Sequence, residues 1–153
     1  MSGEQYYERH SLASALGTSL NNTGWGIGQV REGFQSELEI QPPMVAVVFL
    51  PSRMIELQLG RKLTGNKSYR RAIQVTSYME TEPRAMAIGD DVADFLDLFY
   101  INITDPSSNN IGVLYCPDSE SIVVDTLPPN ISDARVQRWK SVVSAVLEAD
   151  YFV

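Results

Sequence analysis

The sequence is poor in the residues that usually carry chemistry or cross-links. It has a single cysteine, Cys116, and a single histidine, His10. One cysteine forbids a disulfide within the chain, so we expect a reducing, intracellular site of synthesis. A histidine-based triad would have to use His10, and neither Ser11 nor Cys116 lies in a sequence context typical of a nucleophile. Cys116 stands in a β-rich apolar run, which favours a buried small hydrophobe over a reactive thiol.

Long apolar runs and an excess of positive charge are also missing. The longest apolar run, residues 44–50, is far shorter than the ~20 residues of a membrane-spanning helix. The first residues, Met-Ser-Gly-Glu-Gln, do not have the pattern of a secretory signal. We therefore expect no membrane partner. The 12 basic residues are outnumbered by 19 acidic ones, and the net charge of -7 disfavours unspecific attraction to nucleic acid.

What is present fits one globular domain over residues 1–153. The chain has 153 residues, of which 44% are hydrophobic and 20% are charged. A domain of about 150 residues buries roughly two thirds of its unfolded surface, which is enough for a core of its own. Neither disorder nor a second domain is needed to explain this composition.

Two strand-like runs organise the middle of the chain. Apolar and polar residues alternate over residues 53–59 and again over 68–79, so each run can bury one face of a sheet. The connector between them, residues 60–67, is basic and contains two glycines. The pair is therefore predicted to be an antiparallel hairpin with a long, positively charged loop.

Two helices are predicted on either side of this hairpin. The first covers residues 4–20, where leucine recurs every four positions at Leu12, Leu16 and Leu20. The second begins near Pro83, with Thr81 or Glu82 as its cap. Its apolar residues fall on a single stripe, which indicates that the helix covers one face of the sheet. They are Ile88, Val92, Phe95, Leu96 and Phe99.

Further strands complete the sheet. Residues 29–33 are predicted as a short strand and 44–50 as a buried central strand, because the latter run is short, valine-rich and bounded by prolines. Residues 111–116 and 121–126 are predicted to form a second hairpin. Residues 131–153 fit either a helix with Ser132 as its cap or a long strand over 139–153, and we predict the strand. The fold class is α+β, with a mixed, mainly antiparallel sheet and helices packed on one side.

The basic connector is a near match to a phosphate-binding loop. Asn66 intrudes between the second glycine and Lys67, and a strand follows where phosphate binding uses a helix N-terminus. We therefore predict a solvated hairpin tip and no nucleotide cofactor. Its basic residues are candidates for contact with an acidic protein surface or with DNA. They are Arg61, Lys62, Lys67, Arg70 and Arg71.

The remaining candidates for chemistry have ordinary interpretations. Asp90 and Asp94 share a helix face, but no histidine or further carboxylate cluster stands at a compatible spacing, so we predict a solvated acidic face and no metal site. Trp25 follows a run of turn residues and is predicted to anchor the core or its rim. No catalytic residue, cofactor or metal is predicted.

Several stretches together resemble the tail terminator, or tail-completion, proteins of long-tailed bacteriophages. They are an N-terminal helix over residues 5–20, the strand 44–50, the Glu-Leu-Gln-Leu-Gly stretch 56–60, the strand 72–78, and the helix 84–100 with its Phe-Leu-Asp-Leu-Phe end. The resemblance covers most of the chain, and it consists of patterns and not of invariant motifs.

This resemblance implies a structural protein of the virion, made in the host cytoplasm. Such a protein forms a homo-oligomer, expected to be a hexameric ring, that caps the tail tube, ends its polymerisation and joins the tail to the head connector. Its partners would be the tail tube protein and the connector or adaptor proteins, while DNA passes through the lumen without specific binding. The basic residues of the hairpin would then reach the tube.

Three alternatives remain open from the sequence. The first is a head-to-tail adaptor or stopper of the neck. The second is a small nucleotide- or metal-dependent enzyme built on the Gly60 loop or on the helix that carries Asp90. The third is a monomeric binding module anchored by Trp25 and Trp139.

Overall fold

The computed structural model describes residues 3–36, 39–50, 67–129 and 138–152. Within these ranges the chain forms two α-helices and a seven-stranded mixed sheet, so the predicted α+β class is confirmed. The helices are α1 Gly3–Asn22 and α2 Glu82–Leu96. The strands are β1 Arg31–Glu32, β2 Met44–Phe49, β3 Lys67–Met79, β4 Tyr100–Thr104, β5 Asn110–Tyr115, β6 Val123–Leu127 and β7 Trp139–Tyr151.

The sheet is organised around β7. Its strand order is β1-β2-β3-β7-β5-β4, and β6 also pairs with β7. One edge of β7 is covered along its whole length by β3, while β5 and β6 share the other edge end to end. Only β1 and β2 are parallel; the other pairs in the described ranges are antiparallel. The strand predicted at 139–153 is thus confirmed, and it holds the sheet together.

Alternation along β7 separates a covered face of the sheet from an open one. The odd-numbered residues from Ser141 to Tyr151 are all buried, whereas the even-numbered residues are half-buried or exposed. Both helices lie on the buried face, since Gly89 of α2 packs onto Ser141 and Glu8 of α1 bonds to Tyr151. We call this the helix face and the other side the open face.

Both helices follow the sequence pattern. In α1 the residues Leu12, Leu16 and Leu20 are at most 1% exposed, as their spacing predicts. Thr81 is the N-cap of α2 in an extended conformation, although its side chain makes no capping hydrogen bond. Ile88, Val92 and Leu96 are buried, and Phe95 is half-buried against the same core. α2 ends at Leu96, so the predicted helical position of Phe99 is wrong, although Phe99 is buried beyond the end of the helix. The sequence therefore encodes both helices through one apolar stripe each.

Two of the strand predictions are wrong. Residues 111–116 and 121–126 do form strands, β5 and β6, but these do not pair with each other because β7 takes one edge of each. The run 44–50 is buried as predicted, yet it is not central, since it lies between β3 and the two-residue β1 near an edge of the sheet.

Some predictions fall outside the described residues, and one strand of the structure was not predicted. The strand predicted at 53–59 and most of the basic connector, including Arg61 and Lys62, lie outside the described residues. The strand predicted at 68–79 is present as β3, and the predicted strand 29–33 is present as the shorter β1. Sequence reasoning missed β4, which follows α2 directly and pairs with β5.

Candidate functional site

The five basic residues predicted to form a contact patch do not share one surface. Arg70 and Arg71 are neighbours in β3, so their side chains point to opposite faces of the sheet. Arg70 is exposed, on the open face, but Arg71 is only 2% exposed, on the helix face. Arg71 therefore cannot contribute to an exposed basic patch, and its inclusion among the contact residues was wrong. Lys67 is the first residue of β3.

Arg71 belongs instead to a buried ion pair that joins α1 to β3. Its Nε donates to Oε1 of Glu8 at 2.7 Å, and its Nη2 donates to Oε2 at 3.0 Å. The Tyr151 hydroxyl of β7 also donates to Oε2 of Glu8. The guanidinium lies over the Tyr69 ring at 4.8 Å from its centroid. Glu8 is completely buried, so the carboxylate is satisfied by a bidentate arginine and a phenol with no help from solvent.

The environment of this pair keeps the arginine charged. Burial on its own lowers the pKa of Arg71, but its hydrogen bonds to Glu8, the negative charge of Glu8 and the nearby Tyr151 outweigh that effect. The pKa of Arg71 is therefore raised above its ordinary value. A fully charged and fully paired arginine cannot act as a general acid or base near neutral pH, so the pair is a structural element.

Sequence reasoning missed this pair although two signals marked it. Glu8 stands four residues before Leu12 and so continues the buried stripe of α1. Arg71 alternates in phase with Ile73 and Val75, which places it on the buried face of β3. A carboxylate and a guanidinium that each occupy a core position of their own element are expected to meet, because neither is otherwise tolerated in the core.

The open face near Arg70 is mixed in charge and not uniformly basic. Glu148 stands directly opposite Arg70 across the β3–β7 ladder, and Asp150 stands opposite Ser68. The Ser68 hydroxyl donates to Asp150 at 2.5 Å, and the Tyr115 hydroxyl donates to both Glu148 and Asp150. Arg70 therefore lies beside two carboxylates, which reduces the net positive potential at this end of β3.

No family model matches this chain, and no curated protein matches it.

The residues considered for catalysis are not arranged for it. His10 has a 54% exposed side chain, and its Nδ1 lies 3.1 Å from Oε2 of Glu32. The buried Ser11 hydroxyl accepts a hydrogen bond from the Thr104 backbone N–H at 3.3 Å, so it pairs one backbone group of the edge strand β4. Cys116 is half-buried and not buried as predicted, with its Sγ 3.5 Å from the Asp118 carbonyl oxygen. His10 and Ser11 line one groove between α1 and β4, and Cys116 is not among the residues that line it.

The acidic face of α2 has partners of a structural kind. Asp91 accepts a hydrogen bond of 2.7 Å from the Trp25 indole, and Asp97 accepts one from the Ser119 hydroxyl. Trp25 is half-buried against the core, as predicted for a rim anchor. Over the described ranges no group of three or more His, Cys, Asp or Glu side chains is placed to hold a metal ion. In the same ranges no helix is long and apolar enough to cross a membrane.

Two surfaces remain without an internal explanation. The first is the open face over β6 and β7, where Val123 is 52% exposed, Leu127 45% and Val146 37%. All three point away from the helices, because Val123 and Leu127 pair with the even-numbered Ser144 and Lys140. The second is the turn between α2 and β4, which presents Leu98 and Tyr100 to solvent. Clustered apolar side chains on a surface are typical of protein interfaces.

Proposed function

We propose that this protein is a structural protein of a phage-like tail, which assembles as a ring on the end of the tail tube and stops its growth. The proposal rests on the resemblance described above, and the fold is compatible with it. The resemblance implies a small α/β protein, and a mixed sheet with two helices on one face is consistent with that. The ring would join the tail to the connector above it.

The open face of the sheet is the observation that carries the proposal. A two-layer domain can leave one face of an antiparallel sheet in water when that face is polar. Here the face exposes Val123, Leu127 and Val146 beside polar residues such as Asp125. Assembly into a ring would cover part of this face and remove the three side chains from water.

The contact with the tube is the second part of the proposal. Arg61, Lys62, Lys67 and Arg70 are close in sequence, and the first three belong to the connector that precedes or opens β3. In the proposed ring this basic stretch meets the end of the tube. Arg71 has no part in that contact because it is buried.

Assembly is tested by native mass spectrometry and negative-stain imaging over a wide concentration range, with and without purified tail tubes. Rings of six, or rings found only on tube ends, are the expected result. Rings that ignore tube ends would favour a head-to-tail adaptor. A subunit that stays monomeric at every concentration and does not bind tail tubes would refute the proposal.

The basic contact is tested by replacing Arg61, Lys62 and Lys67 together with serine. We expect the free energy of unfolding to stay within about 0.5 kcal/mol of wild type, as for ordinary surface changes, while tube binding weakens. The matched control removes three basic residues elsewhere, with Arg84→Ser, Arg138→Ser and Lys140→Ser. Equal losses of tube binding in both variants would mean that binding depends on net charge and not on the position of the basic stretch.

A further inference from the structure

Strand β6 is an edge strand with no neighbour on one side in the described ranges. β7 pairs with one of its edges, and no other described strand pairs with the opposite edge. The strands at the two ends of the sheet differ, because α1 borders both. Ser11 of α1 bonds to Thr104 of β4, and Arg9 of α1 lies 3.5 Å from Glu32 of β1. Natural sheets usually protect free edges with short strands, lysine, proline or bulges, whereas β6 has five residues, no lysine or proline, and an unbroken register with β7.

The hydrogen bonds of β7 decide which backbone groups of β6 face the free edge. On the side of β7 where β5 and β6 lie, the Phe152 N–H donates to the Ile111 carbonyl at 3.0 Å. On the same side, the Val146 N–H donates to the Ser121 hydroxyl at 3.4 Å. Alternate residues of a strand bond to opposite neighbours, so the even-numbered residues of β7 direct their backbone groups towards β5 and β6.

Two residues of β6 therefore have backbone groups that point away from the sheet. The odd-numbered residues of β6 pair with even-numbered residues of β7 and bond to them. Val124 and Thr126 then direct their N–H and C=O groups to the free edge, where no described residue bonds to them. These groups have the spacing of a strand ladder, so an extended chain is the ligand whose own backbone matches them.

The side chains beside the free edge are apolar on both faces of the sheet. Val123 and Leu127 lie on the open face, and each is about half exposed. Val124 lies on the helix face against Gly89 of α2 and is 37% exposed. An added strand would remove part of all three valine and leucine side chains from water, because neighbouring strands cover one another's side chains on both faces.

Asp125 places a negative charge at the centre of this edge. Its carboxylate is exposed on the open face and has no hydrogen-bond or ion-pair partner among the described residues. Lys140 lies on the same face of β7, but its ammonium is 5.7 Å from the ring centroid of Tyr78, which belongs to β3 on the other side of β7. Residues 85–129 contain no lysine or arginine. The edge therefore suits a strand that brings its own basic side chain.

The described strands of a second copy do not meet this requirement. Pairing two β6 strands so that Val124 bonds to Thr126 would set the two Asp125 side chains directly opposite each other, where like charges destabilise a sheet. β1 and β4 border α1, and β2, β3, β5 and β7 have neighbours on both edges. The charge at the edge thus favours a segment of a different protein.

We propose that the free edge of β6 accepts an extended segment of a different protein as an additional antiparallel strand. A lysine or arginine of that segment faces Asp125, in a position where paired Cα atoms are only about 4.5 Å apart. The residues on either side of it bond to Val124 and Thr126, and apolar residues one step further pack on Val123 and Leu127. This site goes beyond the proposed ring and does not depend on it.

A synthetic peptide, acetyl-Lys-Leu-Val-Lys-Val-Leu-Lys-amide, is the probe for this edge. Hydrogen exchange followed by NMR should show the amides of Val124 and Thr126 exchanging freely in the subunit and slowing about tenfold or more with about 1 mM peptide. Methylating both valine nitrogens of the peptide removes its donors and keeps its side chains. Glutamate at the central position reverses its charge. Each altered peptide should bind about tenfold more weakly or worse.

Two variants of the chain test the contact from its own side. Thr126→Pro removes an outward N–H and leaves the bonds to β7 in place, so the melting temperature should hold while peptide binding is lost. Asp125→Lys should reverse the preference, so that the peptide with central glutamate binds better than the one with central lysine.

Several results would overturn the proposal. They are peptide binding unchanged by methylation or by Thr126→Pro, failure of the charge reversal, no protection with about 1 mM peptide, and protection of Tyr100 and Asn102 in β4 in place of β6. Protection of Val124 that rises with protein concentration alone would identify a second copy as the occupant. Rings are a separate readout: Thr126→Pro should form them as wild type does, and their loss would assign the edge to ring closure instead.

Discussion

Replacing Glu8 with leucine would leave a buried guanidinium without its counter-charge. Arg71 donates two hydrogen bonds to Glu8 and has no exposed route to water, since its side chain is 2% exposed. The same substitution removes the acceptor of the Tyr151 hydroxyl. The leucine itself fits a position that continues the apolar stripe of α1. The cost therefore comes from the groups that lose their partner and not from the new side chain.

The size of the effect follows from the burial of the pair. Removing one member of a buried, hydrogen-bonded ion pair typically costs about 3–5 kcal/mol. For a domain of this length, each kcal/mol lowers the melting temperature by about 2–4 °C, so Glu8→Leu should melt about 6–20 °C below wild type. Replacing all three partners, with Glu8→Leu, Arg71→Met and Tyr151→Phe, removes every orphaned polar group. That triple variant should be more stable than Glu8→Leu alone.

Urea unfolding followed by circular dichroism, together with calorimetry, measures these differences. The control is Arg70→Met, which removes a neighbouring arginine on the open face and should change stability by no more than about 0.5 kcal/mol. Because the pKa of Arg71 is raised, the folded state retains this proton up to a higher pH than the unfolded chain does, so its contribution is lost only in strong alkali. The penalty should be constant between about pH 7 and pH 10. If the free energy of unfolding of Glu8→Leu lies within about 1 kcal/mol of wild type, the inference that Glu8 and Arg71 form a desolvated ion pair is refuted.

Two further predictions concern close approaches of the backbone. In Gly112→Ala the new methyl group would overlap the carbonyl oxygen of Asp150 and lie 3.1 Å from the Tyr151 Cα. β5 must then move away from β7, and the free energy of unfolding measured in urea should fall by about 3 kcal/mol. A loss under about 1 kcal/mol would contradict the observed pairing register of β5 and β7. In Gly89→Ala the methyl group would overlap the Ser141 hydroxyl, which has no hydrogen-bond partner among the described residues, so stability should fall. Adding Ser141→Ala should restore part of the lost stability in a double-mutant cycle. Additive effects of the two substitutions would count against the contact.

Local signals in the sequence account for the elements that were predicted well. Each helix has one apolar stripe, and β3 and β7 alternate over most of their length. β4 was missed because its apolar positions, Ile101 and Ile103, are few and follow the stripe of α2 without a break. A five-residue strand that begins so close to a helix carries too little periodicity to be recognised by itself.

The wrong predictions concern pairing over long distances. β5 and β6 are close in sequence, and a hairpin is the usual result for two such strands. Both strands pair with β7 instead, and β7 lies further along the chain. The pattern within β5 and β6 therefore cannot indicate this pairing. Arg71 was misassigned for a related reason, because a run of basic residues suggests a solvated surface until its partner on α1 is known. The contact surfaces could not be derived from periodicity at all.

The position of β7 in the chain has a consequence for synthesis. Each of the strands β3, β5 and β6 has one edge that β7 covers, and β7 leaves the ribosome after all of them. Until then these strands offer unpaired edges to other nascent chains, and hydrophobic surface that β7 later covers stays accessible. The two halves of the sheet, β1-β2-β3 and β4-β5, are therefore expected to be joined late, when the C-terminal strand inserts between segments that have already been made. A chaperone that holds the incomplete chain would act in that interval.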